Sequence, residues 1–146
     1  MQLTRFTDLG VRTMMLLAAS DPARCRLTTA SVAKAVNASE HHVAKAVTRL
    51  VELEWVSARR GRTGGLFLTD AGRAMPVGHV IRTLEHDREV IDCDGARPCP
   101  LVAACRLRHA LATAKEAFYQ ELDKYTLDDL TAPTLLTLTA ASPREH

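Results

Sequence analysis

At 146 residues, 47% hydrophobic but 4% aromatic, the chain has enough apolar mass for one domain, or one small domain plus an extension, packed by Leu, Val and Ala. No stretch approaches the about 20 consecutive apolar residues of a membrane span, and no basic segment followed by an apolar run opens the chain, so neither a membrane protein nor a secreted one is expected. The net charge of +2 is uneven: residues 1–72 hold ten Lys/Arg against six Asp/Glu, residues 73–146 nine against eleven, the pattern of a polyanion-binding module joined to something else.

The first element is a helix over Phe6 to Ser20, where Phe6, Leu9, Val11, Met14, Leu17 and Ala18 repeat at helical spacing. Thr7-Asp8 is placed to cap it, and Asp21-Pro22 to close it. Asp8 and Arg12 share a face, four residues apart. The ordinary use of an Asp at such a place is as a cap or as a partner of the helix dipole.

Leu27 to Leu53 carries the clearest architectural pattern. Thr28 caps a short helix over Thr29 to Val36, Asn37-Ala38 makes a turn, and Ser39 caps a second helix to Leu53. Two helices joined by a short turn, after a preceding helix, predict a helix-turn-helix. Val43, Ala46, Val47 and Leu50 form the buried stripe of the second helix. His41, His42, Lys45 and Arg49 fall on its other faces, the first three near the end that enters a major groove. Two adjacent histidines project about 100° apart and do not easily share a metal ion.

The segment Trp55 to Thr69 reads as two short strands around a glycine-rich basic turn. Directly after a recognition helix, that is the wing of a winged helix. Arg59, Arg60 and Arg62 are placed to meet phosphates or the minor groove, and Gly64-Gly65 to supply the positive φ of a tight hairpin. The expected fold class is mainly α with a small β wing.

A further helix capped by Thr69 or Asp70 breaks near Pro76 and runs on to about Glu85. Then comes the stretch with the most distinctive chemistry, D-C-D-G-A-R-P-C-P-L-V-A-A-C-R-L-R from Asp92 to Arg108. Cys93, Cys99 and Cys105 are spaced C-x5-C-x5-C, and Gly95, Pro98 and Pro100 keep the first part from being a regular helix. Thiolates select iron–sulfur clusters, zinc or Cu(I). Close C-x2-4-C pairs typical of zinc are absent, and an odd count explains a disulfide framework poorly. Zinc and a redox thiol switch stay open beside a cluster, and three clustered cysteines with one remote fit a reducing cytoplasm. The fourth ligand is not evident locally, the nearest histidine being His109.

Pro100 suits the first position of a long helix in which Leu101, Ala104, Leu107, Leu111, Ala114, Phe118 and Leu122 mark an apolar stripe ending near Asp123. Such a stripe in a small DNA reader serves dimerisation or intrachain packing. A last turn over Thr126 to Leu130 and a weakly ordered tail complete the chain. The resulting division is residues 1–75 as the DNA-binding domain, 76–130 as cluster loop and dimerisation helix, and 131–146 as tail. No nucleophile paired with a base and no phosphate loop is evident, so an enzyme is not expected.

The opening M-Q-L-T-R-F-T-D-L-G-V-R, the wing A-R-R-G-R-T-G-G-L, the three cysteines and the late F-Y-Q-E-L-D-K-Y-T-L-D-D-L together resemble the nitric-oxide-sensing repressors of the IscR-like winged-helix iron–sulfur regulators. The resemblance covers nearly the whole chain. It implies a homodimer on an inverted-repeat operator in double-stranded DNA, with one cluster per subunit, most simply 4Fe–4S with 2Fe–2S as the alternative. It also implies Cys93, Cys99 and Cys105 as thiolate ligands and Asp8, reaching across from the partner subunit, as the fourth. IscR-like relatives use histidine at that place. Cys25 has no counterpart in the triplet and is expected to ligate nothing. Arg12 is expected to hold Asp8 or to accept it when the cluster leaves. The implied function is a cytoplasmic repressor released from DNA by nitric oxide. Its rivals are a regulator answering to iron, cluster status or zinc, and an electron-transfer protein, which would need no groove-reading helix.

Overall fold

The computed structural model describes residues 2–21, 26–61, 64–86 and 89–131. Cys25, Arg62 and the expected tail beyond Thr131 lie outside the described residues. Helix α1 (Arg5–Ala19) starts one residue earlier than expected, because Thr4 rather than Thr7 or Asp8 is its cap: the Thr4 hydroxyl accepts from the Thr7 N–H. Asp8 instead sits in the first turn, where its charge complements the dipole. Helix α2 (Thr29–Ala35) opens on a reciprocal box between Thr28 and Ser31, and α3 (Glu40–Glu52) opens on Ser39. Asn37 between them takes φ +50°, a left-handed position that Asn tolerates. The expected stripe of Val43, Ala46, Val47 and Leu50 is buried throughout, and α3 packs with it on α1 and α2.

Strands β1 (Val56–Arg59) and β2 (Gly65–Leu68) pair antiparallel, Val56 opposite Leu68 and Arg59 opposite Gly65. Leu27 adds a rung that the sequence did not announce, its carbonyl accepting from the Leu66 N–H at 2.8 Å. The positive φ expected at Gly64-Gly65 is found at Gly61 and Gly65, at +95° and +152°. Gly64 is needed for a different reason: a Cβ there would run into the Arg59 carbonyl. Helices α4 (Asp70–Ala74), capped by Thr69, and α5 (Val77–Leu84) follow on either side of Pro76.

The largest departure from expectation lies after the cysteine loop. No continuous helix starts at Pro100. A 3₁₀ turn over Val102–Ala104 comes first, Cys105 is extended (φ −78°, ψ 104°), and helix α6 runs Arg106–Leu122. The loop closes on itself instead, through Cys99 N–H to Cys93 O (3.0 Å), Val102 N–H to Cys99 O (3.2 Å) and Ala104 N–H to Leu101 O (3.2 Å). The last two, spanning three residues each, wind the backbone more tightly than an α-helix, while the first closes a wider loop across six residues. The apolar stripe therefore splits: Leu101 and Leu107 are 71% and 60% exposed, and of α6 only Tyr119 is buried.

Two apolar clusters result. The main one joins α1, α3 and the wing through Leu9, Met14, Leu17, Val43, Leu50, Trp55 and Leu66, and reaches Val80, Leu84 and Leu127 as well. Leu127 belongs to α7 (Leu127–Leu130), capped by Thr126 with Asp129, so the last turn folds back onto α1. The smaller cluster, Val77, Ile81 and Tyr119, fixes α6 to α5. That approach needs Gly78, where a Cβ would strike the Tyr119 carbonyl. Among the described residues no helix is long and apolar enough to cross a membrane.

Candidate functional site

The three cysteines lie between α5 and α6 as free thiols, Cys93 buried, Cys99 and Cys105 half-buried. Burial pushes the Cys93 thiol above its ordinary pKa, Arg108 pulls the other way, and Cys99, Glu89 and Cys105 add to the rise. The Cys99 N–H donates to the Cys93 carbonyl at 3.0 Å, which draws those two ends of the loop together. Among the described residues, no three His, Cys, Asp or Glu side chains converge on a single ion, and Asp8 joins no such group. A polynuclear cluster takes its thiolates on separate irons, so its ligands stand apart around a cage instead of meeting at one point. Three soft thiols with no close pair suit that demand better than tetrahedral zinc. Cys105 is also the N-cap of α6, and no side chain caps that end. An anionic group at this place would meet unpaired N–H groups and the positive end of the helix dipole.

Beside the thiols, Arg108 reaches Glu89 and Asp94. Its hydrogen bonds to Glu89 come first among the causes that hold the guanidinium far above its usual pKa, and they hold Glu89 below the usual carboxylate range. From the sequence, Arg106 and Arg108 are expected to favour an anionic cluster at the start of the helix; the pairing of Arg108 with Glu89 and Asp94 joins distant segments and has no local pattern to announce it. A cavity of about 500 Å³ adjoins the loop, walled by Glu89, Val90, Ile91 and the first turns of α6.

On α1, Arg12 Nε donates to Asp8 Oδ1 at 2.6 Å, and both side chains are substantially exposed. Asp8 is therefore not the cap of α1, which is Thr4, but a carboxylate held by the residue one turn on.

His41, His42 and Lys45 stand exposed on the first turns of α3. Ser39 Oγ accepts from the His42 N–H and lies 2.7 Å from His42 Nδ1, which fixes that ring at the helix start. The Ser39-x-x-His42 spacing, that of a capping box, could have disclosed this. Arg49 is half-buried and bound to Glu52 at 3.0 Å, so it is less available than its neighbours. Arg59 and Arg60 are exposed at the wing, with Arg59 lying over the Phe67 ring at 5.1 Å. These two positions lie diagonally across the strand pair, a relation readable once the register is known.

The cap assignment is testable in metal-free protein by urea unfolding. Thr4→Ala should cost ~1 kcal/mol. Asp8→Ala, which removes an exposed i,i+4 pair, should cost no more than ~0.5 kcal/mol.

Comparison with known proteins agrees with this architecture. Among solved structures, CymR (YrzC), the global cysteine regulator of B. subtilis, superposes with a TM-score of 0.68 at 24% identity, over 90% of this chain and 97% of that one. T. potens IscR does so with 0.66 at 20% identity, over 99% and 94%. At such identities the likeness is one of fold. In sequence, the HTH-type transcriptional repressor NsrR of Streptomyces coelicolor is 52% identical over 143 residues, 95% of this chain and 97% of that one. The HTH-type transcriptional regulator NsrR of Geobacillus kaustophilus is 38% identical over 132 residues, 89% of each. Residues 3–133 match the Rrf2 family, described as iron-dependent transcriptional regulators, and to that family the chain belongs.

Proposed function

We propose that this DNA-binding transcriptional repressor senses nitric oxide through an iron–sulfur cluster held by Cys93, Cys99 and Cys105, with Asp8 of the partner subunit as fourth ligand in a homodimer. The observation that carries the reading is three free thiols in one loop, with Cys93 buried, in a chain that also exposes His41, His42, Lys45, Arg59 and Arg60 on α3 and the wing. The 52% identity to a repressor named NsrR supports it, as does the resemblance to nitric-oxide-sensing repressors. When bound, the cluster supplies iron that nitric oxide attacks, with a carboxylate as its hardest and most readily displaced ligand.

The chain's own residues have defined parts. Residues 1–75 read DNA and residues 76–130 hold the sensing loop and the helix that pairs two subunits. The exposed Leu101, ahead of the 3₁₀ turn, and Leu107, in the first turn of α6, leave apolar surface for a second copy. In the reader, α3 presents His41, His42 and Lys45 to the major groove, while Arg59, Arg60 and Arg62 of the wing meet phosphate or the minor groove. Arg49 supports the helix more than it reads bases, being tied to Glu52. Arg12 holds the Asp8 carboxylate and receives it back when the partner's site lets go. Because α1 packs on α3, a change at Asp8 is felt by the reading helix.

A second reading, a regulator of the same fold responding to iron or cluster status, draws on the family's description as iron-dependent. The metal content separates both from zinc. Anaerobically isolated protein should contain iron and acid-labile sulfide, and Cys93→Ala, Cys99→Ala or Cys105→Ala should each abolish them while Cys25→Ala does not. Asp8→Ala should alter the cluster spectrum and Thr4→Ala should leave it alone. Stoichiometric zinc without sulfide would sink the cluster reading.

The DNA contact has its own check. Arg60→Ala should weaken binding to all sequences alike and reduce the salt slope by about one, whereas Lys45→Ala should also change base preference. Unchanged affinity of Arg60→Ala in both low and high salt would contradict the proposed docking of the wing.

A further inference from the structure

From Glu89 to Cys105 the only buried residue is Cys93. The thiol loop therefore has no apolar core of its own to fix its shape, and what joins its two ends is charge. Arg108, one turn into α6 from Cys105, donates from Nε to Glu89 Oε2 at 3.0 Å and from Nη2 to Glu89 Oε1 at 2.7 Å. The same Nη2 reaches Asp94 Oδ2 at 2.8 Å. Glu89 and Asp94 lie on either side of Cys93 in the chain, so one guanidinium ties both flanks of that cysteine to the helix that begins at Cys105.

Arg73–Asp128 ties α4 to α7, away from the thiols, and the remaining pairs named here do less. Arg12–Asp8, Arg49–Glu52 and Lys124–Glu121 join residues three or four apart. Arg82–Glu116 reinforces α5 on α6, which Val77, Ile81 and Tyr119 already hold by apolar contact. A single exposed pair contributes little to order, but a two-pronged fork shared by a second carboxylate fixes geometry as well as charge.

We propose that Arg108 is a positioning residue of the thiol site: it holds the Cys93 arm against the Cys105 end of α6 in the metal-free chain and thereby slows the loss of iron once a cluster is bound. The proposal rests on the cluster reading above. The guanidinium stays charged at every accessible pH, and its planar fork has no equivalent in lysine.

The test compares anaerobically purified full-length wild type with Arg108→Gln, Arg108→Lys, Glu89→Gln and the Arg108→Gln/Glu89→Gln double variant. Iron release to excess EDTA is followed by absorbance. In the metal-free proteins, alkylation of Cys93 by iodoacetamide is followed by peptide mass. Arg108→Gln should speed iron release about tenfold, the usual effect of losing an outer partner of a metal ligand, with Arg108→Lys in between. Glu89→Gln should add little in the Arg108→Gln background, because both remove the same fork. Alkylation of Cys93 should accelerate several-fold in metal-free Arg108→Gln. Glu89 lies outside any helix, so Glu89→Gln probes the fork without disturbing α6. Release and alkylation rates equal to wild type in both single variants would overturn the proposal, as would effects that multiply fully in the double variant. Wild type devoid of iron and sulfide would instead refute the cluster reading. The alkylation rates then decide on the latch alone: faster in Arg108→Gln sustains it, unchanged refutes it.

Discussion

Helix α1 is buried from two sides, and the rest of the molecule hangs on that fact. Leu9, Met14 and Leu17 sit in the main core, Thr7 and Thr13 are fully enclosed, and Thr13 is satisfied by donating to the Leu9 carbonyl at 2.7 Å. One side of the helix supports α3, the other α5 and α7. Gly10 permits the second contact, since a Cβ there would stand 2.7 Å from Leu84 Cδ1. Burying a Leu or Met side chain contributes roughly 1.5–3 kcal/mol, far more than the exposed Asp8–Arg12 pair at ~0.5 kcal/mol or less. Packing therefore sets where α1 lies, and the Asp8–Arg12 pair contributes little to it. Because a close-packed core transmits a displacement instead of absorbing it, the helix that carries Asp8 is also the helix through which α3 feels its neighbours.

Polarity separates the two functional faces. The surface of α3 and the wing is cationic and exposed at Lys45, Arg59 and Arg60. In the thiol loop a single cation, Arg108, is shared by two carboxylates, Glu89 and Asp94, that flank the buried Cys93. The loop's cohesion is thus electrostatic where that of the helix-turn-helix and wing is apolar. A loop held by exposed charge can be reorganised without unfolding the core beside it.

Much of this was legible from the chain. The caps Thr28, Ser39, Thr69 and Thr126 and the stripe Val43, Ala46, Val47, Leu50 lie where local chemistry puts them, because hydroxyl caps and 3.6-residue periodicity act within a few residues. The failures share a cause as well. The start of α6 was misplaced because Pro100 is equally at home in a helix's first turn and in a loop, and only the bond from Cys99 N–H to Cys93 O decides between them. Thr4 displaced Asp8 as the cap by accepting from Thr7, a choice between two good caps that helix length settles. Arg108 and the Leu27 rung depend on contacts between distant segments, which no local pattern encodes. The three cysteines were conspicuous from their spacing, but the backbone bond between Cys99 and Cys93 and the burial of Cys93 became visible only in the fold.

The account's central claim is that the thiol loop and the DNA-reading face form one device, coupled through α1. It is tested most directly by titrating anaerobically purified protein with nitric oxide while cluster absorbance and binding to a selected inverted-repeat DNA are read on the same samples. The account predicts that absorbance and DNA affinity fall together, with the same dependence on added nitric oxide. Bleaching of the cluster with DNA affinity unchanged would contradict it.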